Sequence, residues 1–184
     1  MRLFVAIDLP DSIKKHLAGL QKAIGDSHAS IKWVATDNIH LTLKFLGEVE
    51  DAMAERVKGK LGEIPFTPIM AAVRDLGAFP SENNPRVVWA GLSPASRIIE
   101  LQERIDSSLA GLGFPKDDRF TVHITLGRVK AVTDKKGFLE RLRHARAGGF
   151  EYPLKISDFR LKRSFLGDRG PVYQDLAVYK AKQD

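Results

Sequence analysis

Two short stretches, HLTLKFLGEV beginning at residue 40 and HITLGRVK beginning at residue 123, each carry a histidine and a threonine two positions apart in an otherwise apolar run. On an extended strand, residues two apart share a face. His40 and Thr42 therefore point one way and Leu41 and Leu43 the other, and His123 and Thr125 stand in the same relation to Ile124 and Leu126. A lone histidine in a strand is most often a satisfied structural residue. Two matching copies in a chain with five histidines among 184 residues call for another explanation. Paired imidazoles suit a reaction that removes one proton and delivers another about a single centre near neutral pH, where histidine titrates. In-line displacement at phosphorus is such a reaction: a neutral imidazole deprotonates the attacking water and a protonated one supplies the leaving oxygen. The hydroxyls of Thr42 and Thr125 can donate to the non-bridging oxygens, where negative charge gathers. By alternation Lys44 shares the face of His40 and Thr42, a cation in reach of that charge. Arg128 has the wrong parity for His123 unless a bulge follows Gly127.

Other chemistries find less support. The chain has no cysteine, which excludes disulfides, thiolate metal sites and thiol nucleophiles. No His-x-His, His-x3-His or His-Glu-x-x-His spacing occurs, and no Gly-x-Ser-x-Gly, so we expect no metal, no cofactor and no serine triad.

The elements that must hold these residues are written twice. RLFVAIDLP at 2–10 reads as a buried strand leading into a helix capped by Asp11, with Ile13, Leu17, Leu20 and Ile24 on one side. RVVWAGLSP at 86–94 lies 84 residues later and leads into a helix carrying Ile98, Leu101, Ile105, Leu109 and Leu112. His40 and His123 are 83 residues apart, each His-x-Thr strand is followed by a helix start (Asp51, Thr133), and Phe66 and Phe150 are again 84 apart. Two copies of this length predict a bilobal α+β domain spanning 1–184: two pseudo-twofold-related antiparallel sheets, helices on the outer faces, and a central cleft that both motifs face.

The formal net charge of +6 is carried unevenly: residues 1–116 hold 14 Lys+Arg and 14 Asp+Glu, and residues 117–184 hold 15 and 9. A one-sided basic surface attracts polyanions, nucleic acid being the commonest. No apolar run approaches the roughly 18 residues needed to cross a bilayer, and an acid stands at position 8. We therefore expect no signal peptide and no membrane partner, in a cytoplasmic protein. Metal-free chemistry at phosphorus is easiest on a strained ester, and a five-membered 2′,3′-cyclic phosphate at an RNA end fits both the paired imidazoles and the basic C-terminal part.

RLFVAIDLP, HLTLKFLGEV, RVVWAGL, HITLGRVK and the late SFLGDRGPVY resemble the two-histidine phosphoesterase superfamily, and within it the RNA 2′,3′-cyclic phosphodiesterases, also described as 2′-5′ RNA ligases. The resemblance covers nearly the whole chain. It implies hydrolysis of a terminal 2′,3′-cyclic phosphate to a 2′-phosphomonoester, with His40 the proton donor to the departing 3′ oxygen and His123 the acceptor that activates water. Thr42, Thr125 and Arg128 match phosphate-holding positions. The sequence departs where the second motif is usually preceded by proline and here has Val122. The alternatives are 2′-5′ joining of RNA by the reverse displacement, and a non-catalytic module binding RNA ends or nucleotides; no obligate protein partner is inferred.

Phe4 and Tyr173 are further candidate substrate contacts, since single-stranded RNA ends are commonly held by stacking. Trp33, Trp89 and most phenylalanines are assigned to the core. His16 is read as a helix-boundary residue, His28 as a loop residue, and His144, with Arg141, Arg143 and Arg146, as part of an exposed basic helix. LGDRGPVY reads as a loop on the cleft rim.

Overall fold

The computed structural model describes residues 1–168 and 170–182. Among them the strands are β1 (Arg2–Asp8), β2 (Ala29–Trp33), β3 (His40–Glu48), β4 (Ile69–Ser81), β5 (Asn84–Ser93), β6 (His123–Val132), β7 (Tyr152–Ile156), β8 (Asp158–Gly167) and β9 (Gly170–Lys180). The helices are α1 (Asp11–Ile24), α2 (Asp51–Gly62), α3 (Ser96–Ala110) and α4 (Lys135–Ala147). Helix α1 buries the expected stripe of Ile13, Leu17 and Ile24, and α3 buries Ile98, Leu101, Ile105 and Leu109. Asp11 is the first helical residue rather than the cap, a position occupied by Pro10. At α4 the cap is Asp134, one residue past Thr133, and its carboxylate accepts from the Gly137 N–H at 3.0 Å. The rim segment read as a loop is the closed end of the β8–β9 hairpin, with Arg169 outside the described residues.

The two expected antiparallel sheets are present, one per lobe, joined edge to edge into a curled sheet of order β7-β4-β5-β6-β3-β1-β8-β9, with β2 also on β6. The lobes do not coincide with the halves of the chain. Lobe one is built from β1, β3, β8 and β9 with α2 and α3; lobe two from β2, β4, β5, β6 and β7 with α1 and α4. Each half thus sends strands and a helix into both lobes, so the two copies of the repeat share one interior.

The seam between lobes fixes the symmetry. Strands β3 and β6 meet at the pair Leu41 and Ile124. These two residues are repeat equivalents, 83 positions apart. A residue hydrogen-bonded beside its own counterpart places the pseudo-twofold axis between them. Both are fully buried on the helix side, so alternation sends the residues flanking them to the opposite, concave face. Among the described residues no helix is long and apolar enough to cross a membrane.

Candidate active site

His40 and His123 each stand one residue before the seam pair, so the pseudo-twofold axis sets them on opposite walls of one cleft together with Thr42 and Thr125. Their anchoring is the same. His40 Nδ1 lies 2.7 Å from the Asn38 carbonyl and His123 Nδ1 lies 2.8 Å from that of Thr121. A carbonyl oxygen only accepts, so each Nδ1 carries the proton and each neutral ring keeps its lone pair on Nε2. In lobe one that Nε2 accepts from the Thr42 hydroxyl at 2.9 Å. No matching bond joins His123 to Thr125 among the described residues.

A bulge in each motif strand then redirects the residues beyond it. In β3, Val5 pairs with Lys44 and Ala6 with Thr42, leaving Leu43 as the extra residue; in β6, Val88 pairs with Gly127 and Trp89 with Thr125, leaving Leu126. One extra residue reverses the alternation. Lys44, expected on the cleft face, therefore points under the sheet: it is 6% exposed, with Nζ 2.5 Å from Asp106 Oδ1 and 2.6 Å from the Pro115 carbonyl. It is not a substrate contact. The same reversal brings Arg128 out on the cleft side, through a bulge one residue earlier than Gly127. Burial would raise the Asp106 carboxyl, but its bonds to Lys44 and the Asp117 N–H outweigh that and hold it below the ordinary range. In β6 the carbonyl of the bulged Leu126 accepts from buried Gln21 Nε2 at 2.8 Å.

Cross-strand register assigns the rest of each wall. Around His40 stand Asp8, directly opposite it on β1, then Phe4, Arg160, Lys162, Tyr173 and Asp175. Phe4 is only 3% exposed, packed at 5.1 Å from the His40 ring and 4.9 Å from Tyr173. It forms the floor under His40 rather than a surface that a base could cover. Tyr173 is half-buried with its ring 5.4 Å from His40. Burial pushes its hydroxyl above the ordinary range, against the opposing charges of Arg128 and Lys162. Arg128 lies on the other lobe, so its charge acts across the cleft.

Asp8, which sequence reasoning missed, accepts from Lys162 at 3.0 Å and Arg160 at 2.9 Å; both cations also reach Asp175, at 2.5 and 2.7 Å. Burial pushes the His40 imidazole below its ordinary value; the Asn38 carbonyl and Asp8 oppose the shift, and Lys162 adds to it.

Around His123 the neighbours differ. Gly91 stands opposite it, Trp89 opposite Thr125, and Phe79 packs edge-on against the His123 ring at 5.2 Å. Trp89 stacks on Phe79 at 5.0 Å and lies over Gly77, where a Cβ would collide with the indole. It was expected in the core and is on the cleft face. The signal was its two-residue spacing from Gly91, legible only once Gly91 is known to pair with His123. Trp33 does pack against the core, over Gly127. His16 stacks on Tyr152 at 4.4 Å, away from the cleft. Among the described residues no three His, Asp or Glu side chains converge as a metal-ligand set.

Two symmetry-related His-x-Thr strands facing one cleft in an α+β fold define a two-histidine phosphoesterase. Comparison with known proteins agrees: the model of the LigT-like phosphoesterase family matches twice, at residues 7–89 and 92–173, once per repeat. The chain belongs to that family. It is 36% identical over 180 residues to a protein of Archaeoglobus fulgidus named RNA 2′,3′-cyclic phosphodiesterase, covering 98% of this chain and 100% of that one. It is 31% identical over 187 residues to one of the same name in Thermotoga maritima, covering 96% and 93%. Among solved structures it resembles E. coli LigT complexed with 3′-AMP, with TM-score 0.79 and 28% identity over 99% of this chain and 98% of that one.

Proposed function

We propose that the protein hydrolyses 2′,3′-cyclic phosphate at RNA ends to the 2′-phosphomonoester by metal-independent acid–base catalysis. The observation that carries the reading is the placement of His40 and His123 as repeat equivalents either side of the Leu41–Ile124 seam, each with Nδ1 tied back and Nε2 turned to one cleft. The names of the full-length relatives support the substrate class.

In this reading water attacks phosphorus in line with the 3′ oxygen and gives its proton to His123 Nε2 as the P–O3′ bond breaks. His40 Nε2 delivers a proton to the departing oxygen, leaving a 3′ hydroxyl and a 2′-phosphate. A phosphate in the cleft raises the affinity of His40 for that proton and counters the effect of burial. Thr42, released from His40, and Thr125 donate to the non-bridging oxygens, and Arg128 offsets the growing charge.

An oligonucleotide ending in 2′,3′-cyclic phosphate, incubated with the protein in EDTA, tests the reading. Conversion to the 2′-phosphate alone is expected; no conversion at stoichiometric protein, or a requirement for added metal, overturns it. Adding an RNA with a 5′ hydroxyl distinguishes hydrolysis from joining by the product formed.

A further inference from the structure

The net positive charge that the sequence places in the C-terminal part is gathered by the fold onto one surface. Helices α1 and α4 lie side by side on the outer face of lobe two, and together carry eight Lys or Arg against two Asp or Glu. The symmetry-related pair α2 and α3 on lobe one carries five of each. The basic side chains on α2 are also partly neutralised, since Lys58 pairs with Glu55 and Lys60 with Glu63. Among the described residues, the exposed Lys15, Lys22, Lys135, Lys136, Arg141 and Arg143 enter no ion pair. Unpaired like charges held close together repel one another, a cost that a polyanion would relieve.

This surface is continuous with the cleft. Arg128 pairs across strands with exposed Lys32 on β2, and exposed Lys130 lies two residues further along β6 towards α4. Lys136, Arg141 and His144, with the acids Asp134 and Glu140 among them, then line a shallow concavity beside His28, whose carbonyl accepts from Thr133 and Asp134 where β6 gives way to the helix. In lobe one Phe45 stands where Arg128 stands in lobe two, so the cation that begins this path at the cleft has no counterpart at that position.

We propose that the α1–α4 face, reached from the cleft past Arg128, Lys32 and Lys130, is a second RNA-binding surface. It holds the body of an RNA whose end occupies the two-histidine site, and in that respect rests on the function proposed above. Phosphates are its ligand, so it confers length dependence and not base preference. Long RNAs bind more tightly than a dinucleotide through contacts remote from the reacting bond.

The symmetry supplies a matched control. K136Q/R141Q/R143Q and R56Q/K58Q/K60Q each remove three charges from exposed or half-exposed positions, on opposite lobes. Their binding to a labelled 20-nucleotide single-stranded RNA with a 3′ hydroxyl end is followed by fluorescence anisotropy across a salt series. The α4 triple is expected to weaken binding at least tenfold at low salt and to reduce the log–log salt slope by about 2, since each single-strand phosphate contact contributes about 0.7. The α2 triple stays within twofold of the parent protein, and both keep its kcat/KM on a dinucleotide 2′,3′-cyclic phosphate. Equal weakening by the two triples, no weakening by either, or binding to anionic lipid vesicles without binding to the RNA overturns the proposal. Failure of every protein to cleave the dinucleotide would instead strike the functional reading, because the RNA used for binding has no reacting group.

Discussion

The two walls of the cleft are copies of one pattern that have been given opposite surroundings. His40 faces a carboxylate, Asp8, and sits over Phe4 beside Tyr173, in a wall stiffened by Lys162, Arg160 and Asp175. His123 faces Gly91 and packs on Phe79 beside Trp89. After the bulge, lobe one presents exposed Phe45 where lobe two presents Arg128, and buries Lys44 where lobe two has Gly127 under Trp33. Symmetry sets two imidazoles on facing walls of the cleft, and departure from symmetry gives them different neighbours. Burial, the larger effect, draws the His40 ring towards its neutral state while Asp8 draws it towards the protonated one; lobe two has a glycine opposite its histidine. In the proposed reaction the cation beside the phosphate, Arg128, comes from the wall opposite Asp8.

The comparison is broken most severely at the histidines. His40→Ala and His123→Ala are each expected to lower kcat by roughly 10² or more, the scale of a single acid or base. Steady-state kinetics on a cyclic-phosphate oligonucleotide measures this, and activity surviving the loss of either ring would remove the two-proton scheme. Next comes the buried ion pair of lobe one: Lys44→Met strands Asp106 and costs about 3–5 kcal/mol of stability. The corresponding cut in lobe two, Gln21→Leu, removes the side-chain donor to the Leu126 carbonyl, which still accepts from the Val34 N–H, and costs about 0.5–1.5 kcal/mol. Denaturant melts compare them, and the double change Lys44→Met with Asp106→Leu should recover most of the first loss. Because the Asp106 carboxyl is held low in the folded state, its stabilising effect is present above the ordinary carboxylate range and is lost as pH falls through the folded value.

The cation and the aromatic at equivalent positions divide the kinetic constants. Arg128→Gln should lower kcat by about 10²-fold, as for the loss of one transition-state donor. Phe45→Ala should leave kcat alone and raise KM by the equivalent of about 1 kcal/mol, the low end of base stacking. The smallest effect is a shift in pH dependence. With His40 as the acid, kcat/KM falls as pH rises through the value of the free ring, which burial places below 6.5. Asp8→Asn removes a charge that favours the protonated ring, so that limb moves to still lower pH. A limb that does not move would belong to a group other than His40.

Much of this was written locally. The duplicated landmarks at spacings of 83 and 84, the amphipathic helices and the His-x-Thr alternation led directly to the fold class and to the four residues nearest the axis, because periodicity of two or of 3.6 is a property of consecutive residues. The same rule misassigned Lys44 and left Arg128 ambiguous. It fails wherever a strand takes one extra residue, and whether it does so at Leu43 and Leu126 depends on the partner strands and on groups such as Gln21, which lies 105 positions from the carbonyl it satisfies.

Local order along the chain settled the repeat, the elements and the pair of histidines. Tertiary structure decided the exchange of strands and helices between lobes, the bulges that send Arg128 out and Lys44 in, and the cluster of Asp8, Arg160, Lys162 and Asp175 behind His40. It also joined α1, from a part of the chain with no net charge, to α4 in one basic face. The reason is the same in each case: a side chain's direction follows from its own strand or helix, but its neighbours are set by how distant strands register and which faces must be buried together.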